Sequence, residues 1–260
     1  MKIATVGDNC MDVYKASGKA YPGGNPVNVA VYLKELGADS AYIGWVGTDS
    51  YGDKMIKAIQ DKGVDITCLS RKEGKTAVTF VELVENDRAF GEYNEGVMAD
   101  FSLTQEELSF IGTHQLVHAG IWGHAASYYS SFKKRGLATS FDFSDKLNHS
   151  LVNTLPRFVD YSFFSYTKDD DFIRLFLKKV KNLGSKIVVA TLGENGALAY
   201  DGEQFYQCGV VEKNVVDTMG AGDSFISGFI YGILDGLPVS KCLELGTETA
   251  AKTIRYFGAW

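Results

Sequence analysis

Short apolar runs alternate with amphipathic segments along most of the chain, and this alternation constrains the fold more than any other feature. Ile3–Val6 is such a run. The pair Asn25 and Pro26 then predicts a helix start, because Asn is a good N-cap and Pro needs no amide hydrogen there. Gly37 ends this helix. Strands that alternate with helices predict a mainly parallel sheet covered on both faces, an α/β fold.

Later segments repeat the scheme. Core strands are predicted at four further apolar runs, namely Leu116–Ala119, Ala138–Phe143, Tyr161–Phe164 and Ile187–Thr191. Further helices are predicted at Lys168–Leu183, Ala221–Leu234 and Ser240–Tyr256. No linker, repeat or low-complexity segment interrupts the series, so we expect a single domain over residues 1–260.

One region departs from this pattern. Thr76–Val84 and Arg88–Tyr93 are strand-like and are joined by a turn sequence, Glu85-Asn86-Asp87. Met11–Tyr21 also lacks a helical pattern. Together these segments, at about 11–22 and 76–97, predict a small antiparallel sheet that projects from the main body.

Composition excludes several classes of protein. The formal net charge of −6 argues against a nucleic-acid-binding surface. The four cysteines are scattered and form no CxxC pair, so free thiols are expected, and His114 and His118 lack zinc-ligand spacing. The start has no signal-peptide pattern, and the longest apolar stretch, Phe225–Leu234, is too short to span a bilayer. We therefore expect a cytoplasmic protein with neither a nucleic-acid nor a membrane partner.

The most informative motif is Asp217-Thr218-Met219-Gly220-Ala221-Gly222-Asp223-Ser224-Phe225. A strand-like run, Asn214–Val216, precedes it, and a helical pattern follows it. The small residues Gly220–Gly222 allow a ligand to approach the backbone, and amides at a helix N-terminus favour an anion such as phosphate. Asp223 is then either a residue that complements the helix dipole or a general base beside an anion site.

Three further segments combine glycines with polar side chains. Gly23-Gly24-Asn25-Pro26-Val27-Asn28 precedes the first helix, and Asn28 offers a donor and an acceptor to hydroxyl groups. Gly7-Asp8-Asn9-Cys10-Met11-Asp12 follows the first strand, at the sheet edge where α/β proteins bind ligands, and Asp12 is suited to sugar hydroxyls. Thr191-Leu192-Gly193-Glu194-Asn195-Gly196 follows a buried strand. Ordinary loops and turns remain the alternative interpretation for the first and third of these segments.

In order and spacing, the four segments resemble the PfkB, or ribokinase-like, family of carbohydrate kinases over essentially the whole chain. The resemblance implies a three-layer α/β/α sandwich whose projecting strands form a lid over the sugar and, in many members, a dimer interface. It also implies an enzyme that transfers phosphate from ATP, with Mg²⁺, to an alcohol group of a small sugar.

The same resemblance assigns roles to individual residues. It makes Asp223 the catalytic base and Gly220, Ala221 and Gly222 the anion hole. The sugar contacts would be Asp12, Gly24, Asn25 and Asn28. The ATP contacts would be Thr191, Gly193, Glu194, Gly196, Thr218 and Gly222. Asp217 would belong to the monovalent-cation site, for K⁺, that many members carry.

The chain departs from the family at one motif. Members usually have an Asn-x-x-Glu pair that organises Mg²⁺ and phosphates, whereas this chain has Ser165-Tyr166-Thr167-Lys168 followed by Asp169, Asp170 and Asp171. The three aspartates either supply the missing carboxylate or complement the dipole of the helix that they begin.

Three stretches, 95–101, 121–125 and 141–146, resemble the branch of the family that phosphorylates fructoselysine on its 6-hydroxyl. Fructoselysine carries amine cations and a carboxylate, so it needs protein groups of both charges. We expect one or more of Arg88, Glu95 and Asp145 to bind its amino-acid part, unless they are solvated surface charges. The alternatives are a kinase for fructose, a sugar acid or a nucleoside, or a non-catalytic sugar-binding protein.

Overall fold

The computed structural model describes residues 1–15, 18–84, 87–211 and 215–260, and for residues 82–84 and 87–90 it describes the backbone alone. The strands are, in chain order, β1 (Lys2–Val6), β2 (Cys10–Tyr14), β3 (Lys19–Gly23), β4 (Asp39–Gly47), β5 (Leu69–Lys72), β6 (Val78–Val84), β7 (Asp87–Asn94), β8 (Leu116–Gly120), β9 (Ala138–Asp142), β10 (Tyr161–Ser165), β11 (Ile187–Thr191), β12 (Ala197–Tyr200) and β13 (Phe205–Cys208). The α-helices are α1 (Asn25–Glu35), α2 (Ser50–Asp61), α3 (Gln105–Ile111), α4 (Tyr129–Lys134), α5 (Leu151–Thr154), α6 (Asp171–Asn182), α7 (Ala221–Leu234) and α8 (Val239–Thr253).

Nine strands form one large sheet in the order β13-β12-β11-β10-β9-β8-β1-β4-β5. The pairings from β5 to β11 are parallel, with Ile3 of β1 opposite both Ser40 and Leu116. All five residues of β8 are buried, which explains why its sequence is mainly apolar instead of alternating, with His118 as the exception. The predicted mainly parallel sheet is confirmed, and β12 and β13 extend it antiparallel.

Helices cover both faces of the large sheet. On one face lie α1, α7 and α8, with Val29 and Phe229 buried in a shared cluster. On the other face, α3, α4 and α6 bury Leu108, Phe132 and Leu177. Burying one such side chain completely stabilises the fold by about 1.5–3 kcal/mol. The predicted three-layer arrangement is therefore confirmed.

A second sheet of four strands has the order β3-β2-β6-β7. β2 is antiparallel to β3 and β6 is antiparallel to β7, whereas β2 and β6 run parallel, with Met11 opposite Val78. The predicted small sheet is confirmed. Between the parallel strands β2 and β6 the chain forms β3, α1, β4, α2 and β5, so a long crossover joins them instead of a hairpin. Glu85 and Asn86 of the predicted turn lie outside the described residues.

Three helix boundaries can be compared with those predicted from the sequence. Helix α7 has the predicted span, and a φ of 96° at Gly37 agrees with the predicted stop of α1. Helix α6 begins at Asp171 and not at Lys168, because Asp170 occupies the N-cap and accepts a hydrogen bond from Ile173 N.

Two local predictions need correction. The N-cap of α1 is Gly24, at a φ of 106°, and Asn25 is the first helical residue, so the side chain of Asn25 is available for other contacts. Val215 and Val216 are not part of a strand, although Val216 N donates to the carbonyl of Ile254, and Asn214 lies outside the described residues.

Within the described parts of the chain, every helix is too short or too polar to cross a lipid bilayer.

Candidate active site

The site lies where the carboxyl ends of β1 and β9 meet the N-termini of α1 and α7. These two helices pack against each other, and Ser227 Oγ of α7 donates to the carbonyl of Val29 in α1. Their contact brings residues almost 200 positions apart in the sequence to one place. The first N–H groups of both helices therefore point toward the same cleft.

Asp223 lies in the first turn of α7, where two amides hold its carboxylate. Asn25 Nδ2 donates to Oδ1 and Asn28 Nδ2 donates to Oδ2, each over 2.7 Å. Burial raises the pKa of Asp223 above its ordinary value, while the hydrogen bonds from Asn28 and Asn25 oppose this shift. The carboxylate is thus fixed in orientation and more basic than an exposed aspartate.

The orientation of both amides is set by donors outside the cleft. The Oδ1 atom of Asn25 lies 3.0 Å from His118 Nε2, and Trp260 Nε1 donates to Oδ1 of Asn28 over 2.8 Å. An indole nitrogen can only donate, so the NH₂ group of Asn28 must face Asp223. The same assignment for Asn25 requires the Nε2–H tautomer of His118.

His118 satisfies that requirement. Its Nδ1 atom lies 2.9 Å from Ser140 Oγ, which can donate to it. Burial lowers the pKa of His118 to about 3, so the ring is neutral at physiological pH. His118 is one residue of the buried strand β8.

Two further carboxylates lie near Asp223. Asn25 Nδ2 also lies 3.1 Å from Oδ2 of Asp142, at the end of β9. Burial, with the nearby charge of Asp223, raises the pKa of Asp142 and of Asp8 to about 7. Asp8 Oδ1 is buried without a hydrogen-bond partner among the described residues. The backbone amides of Asp8 and Asn25 oppose this rise in the pKa of Asp8.

The predicted anion site lies in the loop that begins α7. Gly220 is the N-cap of α7 with a φ of 75°, and a Cβ placed there would lie 2.6 Å from Tyr32 Oη. Thr218 and Gly222 are exposed, and a Cβ added at Gly222 would meet nothing within 4 Å. The backbone at Ala221 and Gly222 is therefore open to a ligand at a helix N-terminus.

Asp217 anchors this loop. Its Oδ1 accepts from Met219 N over 2.8 Å, and its Oδ2 accepts from Gly258 N over 2.7 Å. Asp217 is buried, so its charge is balanced by backbone amides that join the loop to the segment after α8.

Asp12 and Gly24 lie near the cleft on the small-sheet side. Asp12 is buried on β2, and a Cβ added at Gly23 would lie 2.5 Å from its Oδ2 atom. A Cβ at Gly24 would lie 2.6 Å from Asn9 Cα, so only glycine allows this loop to pack against the end of β1.

The 191–196 turn follows β11 at the same edge of the large sheet. Gly193 and Gly196 have φ values of 58° and 85°, and Glu194 is exposed beside them. Asn195 Nδ2 donates to the carbonyl of Thr167 over 2.8 Å, which joins this turn to the loop after β10. Thr191 is the last residue of the strand.

The three aspartates before α6 serve the helix. Asp170 is its N-cap, and Asp169 receives two hydrogen bonds from Arg174, over 2.6 and 2.5 Å. Asp171 lies in the first turn, where a negative charge complements the helix dipole. Of the two interpretations, the structure supports the helix role.

The charged residues that we expected near an amino-acid substrate lie at different places in the structure. Glu95 Oε2 lies 2.7 Å from Nε2 of His124, in the loop after β8. Asp145, in the loop after β9, forms an ion pair with Lys146 over 2.9 Å. The side chain of Arg88 lies outside the described part of the chain.

Sequence reasoning did not identify four residues of this network as functional: Asp8, His118, Asp142 and Trp260. A weak signal existed for three of them. Asp8 and Asp142 lie at the carboxyl ends of predicted strands, and His118 is a polar residue within an apolar run. No local pattern could have placed Trp260 against Asn28.

Comparison with known proteins shows the family of the chain. The family model described as "pfkB family carbohydrate kinase" matches residues 3–142 and 165–260, so the chain belongs to this family. It is an ATP-dependent sugar kinase, a phosphotransferase that acts on a sugar hydroxyl. Sugar kinases of this family use ATP with Mg²⁺.

Among its relatives, fructoselysine 6-kinase from Escherichia coli is 46% identical over 258 residues, covering 99% of both chains. Fructosamine kinase FrlD from Bacillus subtilis is 33% identical over 266 residues, covering 100% of this chain and 93% of the relative. Among solved structures, Arabidopsis thaliana ribokinase complexed with ribose and ATP has a TM-score of 0.87 at 20% identity, covering 99% of this chain and 93% of that chain. The last comparison confirms the ribokinase-like fold.

Proposed function

We propose that this enzyme phosphorylates the 6-hydroxyl of fructoselysine with Asp223 as the catalytic base. The observation that carries the chemistry is the carboxylate of Asp223 at the N-terminus of α7, held on both oxygens by the side-chain amides of Asn25 and Asn28 in α1. The names and identities of the two relatives, a fructoselysine 6-kinase and a fructosamine kinase, support the substrate.

Asp223 would accept the proton of the attacking hydroxyl. Each carboxylate oxygen uses one lone pair for Asn25 or Asn28 and keeps another for the substrate. A raised pKa brings the base closer to the pH at which it works, which makes proton transfer more favourable. Asn25 and Asn28 are thereby assigned first to the base. The second N–H of Asn28 is available to a sugar hydroxyl, whereas that of Asn25 faces Asp142.

Gly220, Ala221 and Gly222 would bind the transferring phosphoryl group. Exposed amides at a helix N-terminus stabilise negative charge that develops there. Thr218 and the 191–196 turn, with Thr191, Gly193, Glu194 and Gly196, would contact the rest of ATP.

Mg²⁺ would bind to this enzyme together with ATP. The residues that the structure describes contain no group of three or more His, Cys, Asp or Glu that could hold a metal. Mg²⁺ in kinases is commonly held by substrate phosphates, waters and one or two carboxylates, and it neutralises phosphate charge when bound. We assign no protein ligand to it.

On the opposite side of the base, Asp12 and Gly24 would contact the sugar. The small sheet would act as a lid within a single domain of residues 1–260, and its outer face would form a homodimer. Asp217 would belong to a K⁺ site, with its carboxylate positioned by the amides of Met219 and Gly258. ATP as the phosphate donor and the free thiols among the described cysteines favour the cytoplasm as the compartment.

Release of ADP from ATP and Mg²⁺ with a panel of acceptors tests the substrate. The panel contains fructoselysine, fructose, ribose, a gluconate-type acid and adenosine. Turnover that is highest on fructoselysine by kcat/KM supports the proposal. Preference for another acceptor would keep the kinase and exclude this substrate. A 5-dehydro-2-deoxygluconokinase at 27% identity motivates the sugar acid. Binding without turnover on the whole panel would favour a sugar-binding protein.

A further inference from the structure

A cavity of about 550 Å³ opens between the loops that follow β9 and β10, outside the residues assigned so far to catalysis. Its volume lies within the range of small-molecule sites. Its polar and aromatic lining residues are Asp145, Lys146, Asn148, His149, Tyr166 and Phe172.

The cavity carries two opposite charges side by side. Lys146 Nζ and Asp145 Oδ1 are 2.9 Å apart, and both side chains remain at least 40% exposed. An ion pair this exposed contributes little to stability, so its two charges are available to a ligand at low cost. A ligand with an anion and a cation a few bonds apart complements such a pair.

Two aromatic rings form another part of the wall, those of Tyr166 and Phe172, whose centroids are 5.5 Å apart. Outside the lining, the ring centroid of Trp122 lies 5.3 Å from Lys146 Nζ. Phe172 and Trp122 are 51% and 47% exposed. Large aromatic side chains exposed beside a cavity provide apolar surface on which a hydrocarbon chain can pack.

The cavity is adjacent to the catalytic network. Asp145 lies three residues after Asp142, and its charge contributes to the raised pKa of Asp142. Asp142 in turn is hydrogen-bonded to Asn25, which holds Asp223. A substrate whose hydroxyl reaches Asp223 can therefore extend a flexible tail past Asp142 toward Lys146.

We infer that this cavity binds the α-amino-acid end of the substrate, with Lys146 on its carboxylate, Asp145 on its ammonium group, and Tyr166 and Phe172 against its methylene chain. The inference rests on the proposed function, because fructose alone has no such end. A phosphate group is the less suitable occupant, since Asp145 would repel it.

Two variants with matched substrates test the inference. Lys146→Met keeps the length of the side chain and removes its charge. It is assayed with fructoselysine and with the 5-aminopentyl analogue, which lacks only the carboxylate. The wild-type enzyme should prefer fructoselysine by kcat/KM, and the variant should lose about tenfold or more of that preference. Lys134→Met, at an exposed lysine on α4 outside the cavity, is the control and should keep the wild-type preference.

The second arm tests the ammonium group. Asp145→Asn should weaken fructoselysine and not Nα-acetyl-fructoselysine, whose α-nitrogen is uncharged. The wild-type enzyme and both variants could show the same preference among these substrates. In that case the amino-acid end binds elsewhere, and the proposed function stands. A raised KM for ATP in Lys146→Met with an unchanged substrate preference would assign the cavity to the nucleotide. A wild-type enzyme that turns over another sugar but no fructosyl amine would overturn the proposed function and this inference together.

Discussion

At the residue scale, the carboxylate of Asp223, the proposed base, depends on two side chains that act through its asparagine partners. Asp223 is held by two asparagine amides, and each amide is oriented by one N–H donor, from His118 or from Trp260. An asparagine amide without such a donor can rotate by 180° and present its oxygen to the carboxylate, which would repel it. The two donors therefore determine whether the base is supported or opposed.

Replacing Asp223 with Asn should lower kcat by about 10²–10⁴-fold, because the hydroxyl then has no base. Binding of ATP and sugar, measured by calorimetry, should change little. Asp235→Asn, at the exposed C-terminal end of the same helix, is the control and should keep full activity. A Asp223→Asn enzyme that keeps most of its kcat would show that the carboxylate is a helix-dipole residue only.

Trp260→Phe should lower kcat about tenfold, because Oδ1 of Asn28 loses its donor and the amide loses its fixed orientation. The hydrogen bond from Asn28 lowers the pKa of Asp223, so its loss should raise that pKa and move the acid limb of the kcat–pH profile to higher pH. Tyr256→Phe removes a different contact to the same C-terminal segment, from Tyr256 Oη to Ala259 O, and should leave the profile unchanged. Identical profiles for the wild type and Trp260→Phe would contradict the orienting role.

At the scale of elements, the site is produced by the N-termini of α1 and α7. The motifs around Gly24 and Gly220 predicted both helix starts from the sequence, because glycine and small residues have local reasons to be there. The contact between the helices depends on apolar packing over a long sequence separation, which no local pattern reports. For the same reason the sequence assigned Asn25 to a cap, whereas the fold directs its side chain to Asp223.

Two glycines of the 220–222 loop should respond differently to alanine. Gly220→Ala places a Cβ at a φ of 75° and 2.6 Å from Tyr32 Oη, so it should destabilise the protein by about 1–2 kcal/mol or more and lower the melting temperature. Gly222→Ala meets open space within a helix, where alanine is favoured, so its melting temperature should be equal or higher.

Enzyme activity shows whether Gly222 also contributes to ATP binding. If the backbone at Gly222 approaches a phosphate, the added methyl group should reduce kcat/KM for ATP even though the fold is intact. A Gly222→Ala enzyme that is stable and fully active would show that this position does not contact the nucleotide.

At the scale of the whole molecule, the sequence predicted the α/β class, the parallel sheet and the small second sheet from alternation and turn signals. It did not predict the parallel pairing of β2 with β6, or the contact of Trp260 with Asn28, since both join distant segments. The accumulation of Asp8, Asp142 and Asp223 in one cleft is also a property of the assembled fold. The three negative charges repel one another in the folded state, and this repulsion lowers the free energy of unfolding.

The pKa values of Asp8 and Asp142, raised to about 7 from an unfolded value of 3.8, give this cost a pH dependence. Between about pH 4 and 7 the folded state binds more protons than the unfolded state, so the free energy of unfolding falls as the pH rises. Asp8→Asn should reduce the fall between pH 5 and pH 8, on the order of a few kcal/mol, as measured by urea unfolding at both pH values. If the free energy of unfolding fell equally in the variant and the wild type, ionisation of Asp8 would not destabilise the folded state.

The most direct test of the central claim is the structure of the product. Wild-type enzyme, ATP, Mg²⁺ and fructoselysine are incubated together, and the product is analysed by phosphorus–proton correlated NMR. We expect one phosphate monoester coupled to the protons of C6. A phosphate on another hydroxyl, or unchanged fructoselysine in the presence of active enzyme, would contradict it.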